Sequence, residues 1–161
     1  MSVRYVSAPS RPYRLAVPPG AATEPLDRLI VRTGLALQRL TRKAAAAHGL
    51  SATALDVLGA LVDVDALSHR DLAGTLRLAP ATLTPVLDTL EAQGALRRVR
   101  DGADRRIVRV AITRHGRERH AAAAAGVARA VGALPGPARE EEALIRAHLV
   151  GLLDAMDDGV S

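Results

Sequence analysis

The residues whose chemistry stands out are arginines grouped around a short turn. Residues 97–119 carry nine arginines against three acids, and the turn within this stretch reads Asp101-Gly102-Ala103-Asp104. The arginines nearest to the turn are Arg98, Arg100, Arg105 and Arg106. Guanidinium groups bind phosphate oxygens and enter the narrow minor groove of DNA. The cluster predicts a polyanion partner, and a generally basic, solvated surface is the alternative interpretation.

Two predicted strands and two predicted helices position these arginines. Short strands are predicted over residues 95–100 and 106–112, the second with a period of two, and the Asp-Gly pair between them is typical of a hairpin. Helices are predicted just before it, at about residues 69–76 and 80–93. Ser68 and Asp71 form a near capping box for the first of these helices, and Arg77 lies in the turn between them.

A helix pair followed by an arginine-rich hairpin predicts a winged helix-turn-helix. The second helix fits the major groove of DNA, and the hairpin beside it reaches phosphates or the minor groove. The outer face of that helix carries Pro80, Ala81, Thr82, Thr84, Pro85, Asp88 and Thr89. Because arginine, lysine, asparagine and glutamine are absent from it, we expect weak direct readout of bases, with more specificity coming from the hairpin and from DNA shape.

The remaining chain is predicted to be helical apart from its beginning. Helices are expected at about residues 25–47, 52–64, 114–133 and 139–156, with Ser51 and Thr113 as N-caps and Gly49 and Gly94 as stops. Residues 1–24 are rich in proline and contain no acid before Glu24, which predicts an extended or disordered basic arm.

Composition excludes several classes of protein. The 161 residues allow one domain, or one domain with an appended dimerisation element. Aromatic residues make up 1% of the chain, which argues against base stacking, and the absence of cysteine removes disulfides and thiolate metal sites. No apolar run is long enough to span a membrane, and the N-terminus lacks the apolar stretch of a signal peptide. We therefore expect a cytoplasmic protein.

The sequence contains no recognisable catalytic or cofactor motif. It lacks a P-loop, a Gly-x-Ser-x-Gly elbow, a His-Glu-x-x-His pair and a dinucleotide fingerprint. His115 and His120 are five residues apart, about 140° around a helix, which is poor geometry for a shared metal ion. We expect surface histidines, no metal, no cofactor and no enzymatic activity.

The hairpin carries the most specific signature of the chain, and with it the chain resembles the MarR family of transcription regulators. The family's wing motif is Asp-x-Arg, three residues, Val, one residue, Leu-Thr, and it is matched by Asp104, Arg106, Val110, Ile112 and Thr113, with Ile in place of Leu. Other matches in order are Leu50-Ser51, Asp71-Leu72-Ala73, Leu83-Thr84, Asp88-x-Leu90-Glu91, Gly94 and Gly116. The resemblance covers about residues 26–156.

This resemblance implies a homodimer in which the first and the last two helices interlock. It implies that Arg106 enters the minor groove, that Asp104 braces it and that Arg105 lies on backbone phosphate. The alternative for Asp104 and Arg106 is a surface ion pair that stabilises the turn. The family also implies a small, often phenolic or lipophilic effector, bound between the dimerisation helices and the DNA-binding lobe, which releases a repressed promoter.

The chain departs from the family at Pro85, where a basic residue is common. A proline inside a helix removes a backbone hydrogen bond and costs about 3 kcal/mol. Two outcomes are open: the recognition helix bends at Pro85, or it begins late, with Thr84 as N-cap and Pro85 in the first turn.

The predicted fold is mainly α: a winged helix-turn-helix DNA-binding lobe, residues 51–113, with a helical dimerisation region from both chain ends, residues 25–50 and 114–161. The predicted DNA contacts are Arg77, Ala81, Thr82, Thr84, Pro85, Arg98, Arg100, Asp104, Arg105 and Arg106. The predicted partners are double-stranded DNA, a second copy of the chain and a small-molecule effector. Two alternatives remain: a winged-helix dimer that acts through protein contacts, and a ligand-binding protein or enzyme on this scaffold.

Overall fold

The computed structural model describes residues 23–100 and 108–158, and the described part of the chain is mainly helical with a small antiparallel sheet. The elements are α1 (Leu26–Ala46), α2 (Ala52–Ala60), β1 (Leu67–Ser68), α3 (His69–Thr75), α4 (Pro80–Ala92), β2 (Leu96–Arg100), β3 (Val108–Ile112), α5 (Arg114–Gly132) and α6 (Arg139–Asp158). They fall into a larger unit, Asp27–Val131, and a smaller one that contains α6. The predicted arm, residues 1–24, lies outside the described residues except for Thr23 and Glu24.

Serine side chains start two of the short helices, as predicted. The Ser51 hydroxyl accepts a hydrogen bond from the Ala54 N–H at 3.0 Å at the start of α2. At the start of α3, the Ser68 hydroxyl accepts from the Asp71 N–H at 3.1 Å and donates to the Asp71 carboxylate at 2.7 Å. Each cap satisfies a backbone donor that the first turn of a helix leaves without a partner. The helix pair therefore begins where the sequence places it.

Three helices end at a residue in the left-handed region. These residues are Gly49 after α1, Arg77 after α3 and Gly94 after α4, with φ of 69°, 51° and 69°. After α4, for example, the Gly94 N–H donates to the Glu91 carbonyl at 2.8 Å and the next N–H donates to the Leu90 carbonyl at 2.9 Å. This pair of bonds is the Schellman motif. Arginine carries a cost of about 1 kcal/mol in this conformation, which glycine avoids.

The core of the larger unit is built from leucines of α2, α3 and α4. Its largest fully buried side chains are Leu50, Leu58, Leu61, Leu72, Leu83, Leu87, Leu90 and Val57. In contrast, the only residue of α1 that is fully buried is Ala45. The described part of α6 has no buried residue. The core therefore lies mainly in the helix-turn-helix, and α1 and α6 leave many of their large apolar side chains exposed.

The sheet has three strands in the order β1-β3-β2, all antiparallel. β2 and β3 are the predicted hairpin, and their register pairs Leu96 with Ile112 and Arg100 with Val108. Strand β1, whose Leu67 pairs with Val110, was not predicted from the sequence. A strand of two residues has no detectable period, which explains the omission.

Two other expectations are corrected by the structure. α2 ends at Ala60 and does not reach residue 64, because the chain turns at Leu61 and Val62 towards β1. The strict alternation expected in β3 also fails: Val108 is exposed, whereas Ala111 and Ile112 are both buried. The end of β3 lies against α5, whose Gly116 contacts Ile112, so both faces of the strand are covered there.

Candidate nucleic-acid interface

Helix α4 begins before Pro85, which therefore lies inside the helix. Pro80 occupies the first turn and Ala79 is the N-cap, with no side-chain capping bond. The late start at Thr84 is thus wrong. Pro85 has no N–H to donate to the carbonyl of Ala81, four residues earlier, so one bond of the helical ladder is missing. Helix α4 continues through this position despite that loss.

The predicted reading residues of α4 lie on its exposed side. Ala81, Thr82, Thr84 and Pro85 are all exposed. The opposite side is buried, with Leu83, Leu87 and Leu90 at most 2% exposed. The Thr84 hydroxyl donates to the Pro80 carbonyl at 3.1 Å and lies 3.2 Å from His69 Nε2 on α3. The structure therefore brings the four predicted side chains of this helix to one accessible surface.

Arg98, which the sequence analysis assigned to DNA, is paired with carboxylates of α4. Its guanidinium lies 2.5 Å from Asp88 Oδ1 and also contacts Glu91 Oε2. Its backbone N–H donates to Glu91 Oε1 at 3.1 Å. The hydrogen bond to Asp88, with support from Glu91, raises the pKa of the Arg98 guanidinium. Strand β2 is thereby attached to α4, and much of the charge of Arg98 is balanced by these two carboxylates.

The other predicted arginines are placed only in part. Arg77 and Arg100 are exposed, one at the turn between α3 and α4 and the other at the end of β2. Asp104, Arg105 and Arg106 lie outside the described residues.

Two arginines of α5 make contacts that the sequence analysis missed. Arg119 donates to Gln93 Oε1 at 2.7 Å and to the Gly49 carbonyl at 3.0 Å, and Arg117 donates to the Val62 carbonyl. The Gly49 and Val62 carbonyls lie just beyond the C-terminal ends of α1 and α2, where backbone carbonyls lack partners within the helix, and Gln93 is the C-cap of α4. These contacts could not be predicted from the sequence, because the acceptors lie 26 to 70 residues away from the arginines.

A cavity of about 300 Å³ opens beside α4. Its walls come from the junction of α1 and α2 on one side and from the C-terminal part of α4 on the other. They are lined by Gly49, Leu50, Ser51, Ala54, Pro85, Val86, Thr89, Leu90 and Gln93. The lining is mainly apolar, and Gly49 and Gln93 are the two residues that Arg119 bridges.

The expectation of surface histidines is confirmed for His115, which is exposed, and is wrong for His120, which packs against α2. His120 is half-buried, and its Nε2 would stand 3.2 Å from a Cβ placed at Gly59 of α2. Burial lowers the pKa of His120, and Asp63 opposes this shift. Across residues 23–100 and 108–158, His, Asp and Glu do not gather into a group of three that could hold a metal ion. No helix in the same ranges is both long and apolar enough to cross a membrane.

A winged helix-turn-helix domain is defined by α2, α3 and α4 together with the paired strands β2 and β3. Residues 50–108 match the family model of the MarR family. This segment of the chain is thus similar to the MarR family, which is the family that the sequence resembles.

Individual relatives agree with this assignment. The HTH-type transcriptional regulator TtmR of Methylorubrum extorquens is 39% identical over 82 residues, which is 51% of this chain and 42% of that protein. The match therefore spans less than half the length of that relative.

Solved structures share the fold over most of the chain. CouR from Rhodococcus jostii bound to p-coumaroyl-CoA has a TM-score of 0.67 and 27% identity, covering 83% of this chain and 94% of its own. A MarR-family regulator from Rhodococcus sp. has a TM-score of 0.66 and 26% identity, covering 81% and 96%. Apo MarR from E. coli, at 23% identity and a TM-score of 0.65 over 81% and 98%, shares the fold.

Proposed function

We propose that this chain is a transcription regulator that binds double-stranded DNA as a homodimer. One observation carries the proposal: α4 presents an exposed face beside an arginine-bearing strand, within a MarR-family domain. The predicted contacts from the helix pair are Arg77, Ala81, Thr82, Thr84 and Pro85. Those from the hairpin are Arg100, Asp104, Arg105 and Arg106. Arg98 supports them by holding β2 on α4 through its ion pairs with Asp88 and Glu91.

The proposed mode of binding places two copies of α4 in successive major grooves. A two-fold symmetric dimer then meets half-sites about 34 Å apart on a pseudo-palindromic operator. A mutant of E. coli MarR, solved in complex with operator DNA, has the same fold with a TM-score of 0.67 and 23% identity. Arginine contacts to phosphate supply affinity that decreases with salt, and Arg106 together with α4 supplies selectivity.

Exposed apolar side chains on two long helices support the homodimer. On α1 they are Leu26, Val31, Leu35 and Leu37, and on α6 they are Leu144, Ile145, Leu149, Val150, Leu153 and Met156. Large apolar patches of this kind mark surfaces that bind another protein. A second copy of the chain covers them in the proposed assembly, in which both chain ends contribute.

A small-molecule effector is the further element of the proposal. CouR, which shares the fold at 27% identity, is solved with p-coumaroyl-CoA bound. By analogy, an effector of this chain would favour a dimer whose α4 spacing does not fit the operator, and so release a repressed promoter. Such a regulator acts on DNA in the cytoplasm, and regulation is favoured over catalysis by the family.

Fluorescence polarisation of the purified chain on its own upstream DNA tests the proposal. We expect sequence-dependent binding that weakens steeply with salt, and a greater loss of sequence discrimination for Arg106→Ala than for Thr82→Ala. The opposite order would contradict the assignment of selectivity to the hairpin. A scrambled duplex of the same length is the control.

A second function is favoured by one specific observation. The exposed part of α4 lacks cationic side chains, and Arg98 beside it is paired with two carboxylates. A dimer that acts through protein contacts fits this neutral face. Weak binding that is the same for operator and scrambled DNA, and that hardly changes with salt, would support this alternative.

A further inference from the structure

The first two turns of α4 contain no side chain suited to bidentate recognition of a base. Residues 80–87 read Pro-Ala-Thr-Leu-Thr-Pro-Val-Leu, with no charged or amide residue. Specific hydrogen bonding in the major groove relies mainly on Arg or Lys to guanine and on Asn or Gln to adenine. The first charged residue of α4 is Asp88, and its carboxylate lies 2.5 Å from Arg98.

The threonine hydroxyls of α4 are in part used within the protein. The Thr84 hydroxyl donates to the Pro80 carbonyl at 3.1 Å and lies within hydrogen-bonding distance of His69 Nε2 at 3.2 Å. The Thr89 hydroxyl donates to the Pro85 carbonyl at 2.8 Å. The hydroxyl of Thr84 is thus already engaged within the protein. Since Thr84 is exposed, its methyl group is the part that can contact a partner.

Apolar groups are therefore what this face offers. Ala81, Thr84 and Pro85 are three and four residues apart, which places them on one side of the helix, and all three are exposed. Thr82 is exposed next to them and brings a further methyl group. The exposed surface consists of methyl groups and a proline ring, and the leucines of α4 are buried on the opposite side of the helix.

The major groove has one apolar group that matches such a surface. Thymine carries a C5-methyl group at the edge of its base pair, and the other base edges present only hydrogen-bond donors and acceptors. We infer that α4 selects thymine at its half-site by packing Ala81, Thr82, Thr84 and Pro85 against C5-methyl groups. This inference rests on the proposed DNA-binding function and specifies what that site reads.

The test begins by selecting bound duplexes from a random library with the full chain. In the selected site, each thymidine is then replaced by deoxyuridine, which keeps every hydrogen-bonding group and removes only the methyl. We expect the affinity to fall about fourfold for each contacted thymine, the effect of one buried methyl. Deoxyuridine at flanking positions is the control and should leave the affinity unchanged.

Paired variants at Thr82 separate methyl contact from hydroxyl contact. Thr82→Val keeps a methyl group and removes the hydroxyl, whereas Thr82→Ser does the reverse. We expect Thr82→Val to retain the affinity and Thr82→Ser to lose affinity together with part of the sensitivity to deoxyuridine. Circular dichroism and the Tm of both variants should match those of the parent chain.

The outcomes distinguish the inference from the proposed function. If a site is selected but deoxyuridine is tolerated at every position, the inference is overturned and DNA binding stands. If Thr82→Ser keeps the affinity and Thr82→Val loses it, hydrogen bonding replaces methyl contact and the inference is again overturned. If no sequence is enriched, the proposed function fails and the inference with it.

Discussion

Arg119 on α5 donates a hydrogen bond to the side chain of Gln93, the C-cap of the recognition helix, at 2.7 Å. The same guanidinium donates to the Gly49 carbonyl at 3.0 Å, just after α1 ends. A positive charge at the C-terminal ends of two helices interacts favourably with their dipoles. Arg119 thus attaches α5 to both α1 and α4, and a displacement of α5 would be passed to the helix proposed to read DNA.

Removal of Arg119 tests this connection. We expect Arg119→Ala to lower the free energy of unfolding by about 1 kcal/mol, since two charge-assisted hydrogen bonds are lost at a partly exposed site. Urea denaturation measures this change. The control is Arg114→Ala on the same helix, which removes an exposed i,i+4 pair with Glu118 and should change the stability by less than about 0.5 kcal/mol. Equal effects of the two substitutions would contradict the special role of Arg119.

Gly116 permits the close approach of α5 to the backbone of Ala95, the residue just before β2. A Cβ at this position would overlap the Ala95 carbonyl oxygen and lie 2.9 Å from Ile112 Cγ1. That carbonyl already accepts a bond from the Thr113 N–H at 3.0 Å, so it cannot move freely. We expect Gly116→Ala to destabilise the fold by about 2 kcal/mol, within the range for overpacked sites.

Gly74→Ala is the matched control for Gly116→Ala. Gly74 is also helical, but a Cβ there would meet nothing within 4 Å. Alanine has the higher helix propensity, so we expect Gly74→Ala to be neutral or stabilising by up to about 1 kcal/mol. Thermal unfolding followed by circular dichroism measures both. A stabilising effect of Gly116→Ala would show that α5 does not pack closely against the Ala95 carbonyl in solution.

The role of Arg98 is tested by the salt dependence of DNA binding. If Arg98 serves to hold β2 on α4, Arg98→Gln should reduce the affinity but leave the slope of log K against log salt unchanged. Arg100→Gln, which removes a predicted phosphate contact, should make that slope shallower by about 0.9. The ion pairs themselves are exposed, so they contribute at most about 1 kcal/mol to stability. A shallower slope for Arg98→Gln would restore Arg98 to the phosphate contacts.

The half-buried His120 should make stability depend on pH. Burial lowers its pKa in the folded chain, so protonation favours the unfolded chain, where histidine titrates near its usual pKa of about 6.5. The free energy of unfolding should therefore be constant above about pH 6.5 and fall below it, until folded His120 itself is protonated.

Urea denaturation between about pH 5.5 and 7.5 measures this effect. His120→Gln should flatten the pH dependence, whereas His115→Gln, at an exposed position of the same helix, should leave it as it is. An unchanged slope in His120→Gln would assign the effect to another group.

Much of the fold could be predicted from local signals. Ser51 and Ser68 mark helix starts because their hydroxyls satisfy free backbone donors, and Gly49 and Gly94 mark helix ends because they tolerate positive φ. The wing motif indicated the family, because residues such as Asp104 and Thr113 occur at a fixed spacing. These features depend on residues that are close together in the sequence.

The missed features depend on contacts between distant residues. The partners of Arg98 are seven and ten residues away, and the acceptors of Arg119 are 26 and 70 residues away. A count of charges predicts that Arg98 is basic and exposed, but it cannot tell a phosphate partner from a carboxylate on the neighbouring helix. Pro85 was uncertain for a similar reason, since buried Leu83 and Leu87 hold the helix together through a position that propensity alone disfavours.

The two-residue strand β1 limits how the helix pair α3 and α4 can be transferred to another protein. Ser68 pairs with Arg109 of β3 and also caps α3, so one residue serves the sheet and the helix pair at once. A graft of α3 and α4 onto another scaffold would leave that edge of the sheet open unless β3 were transplanted as well. A graft of the helix pair should therefore include Leu67 to Ile112 and also α2, whose Leu58 belongs to the same core, and shorter transfers should lose the orientation of the helix pair.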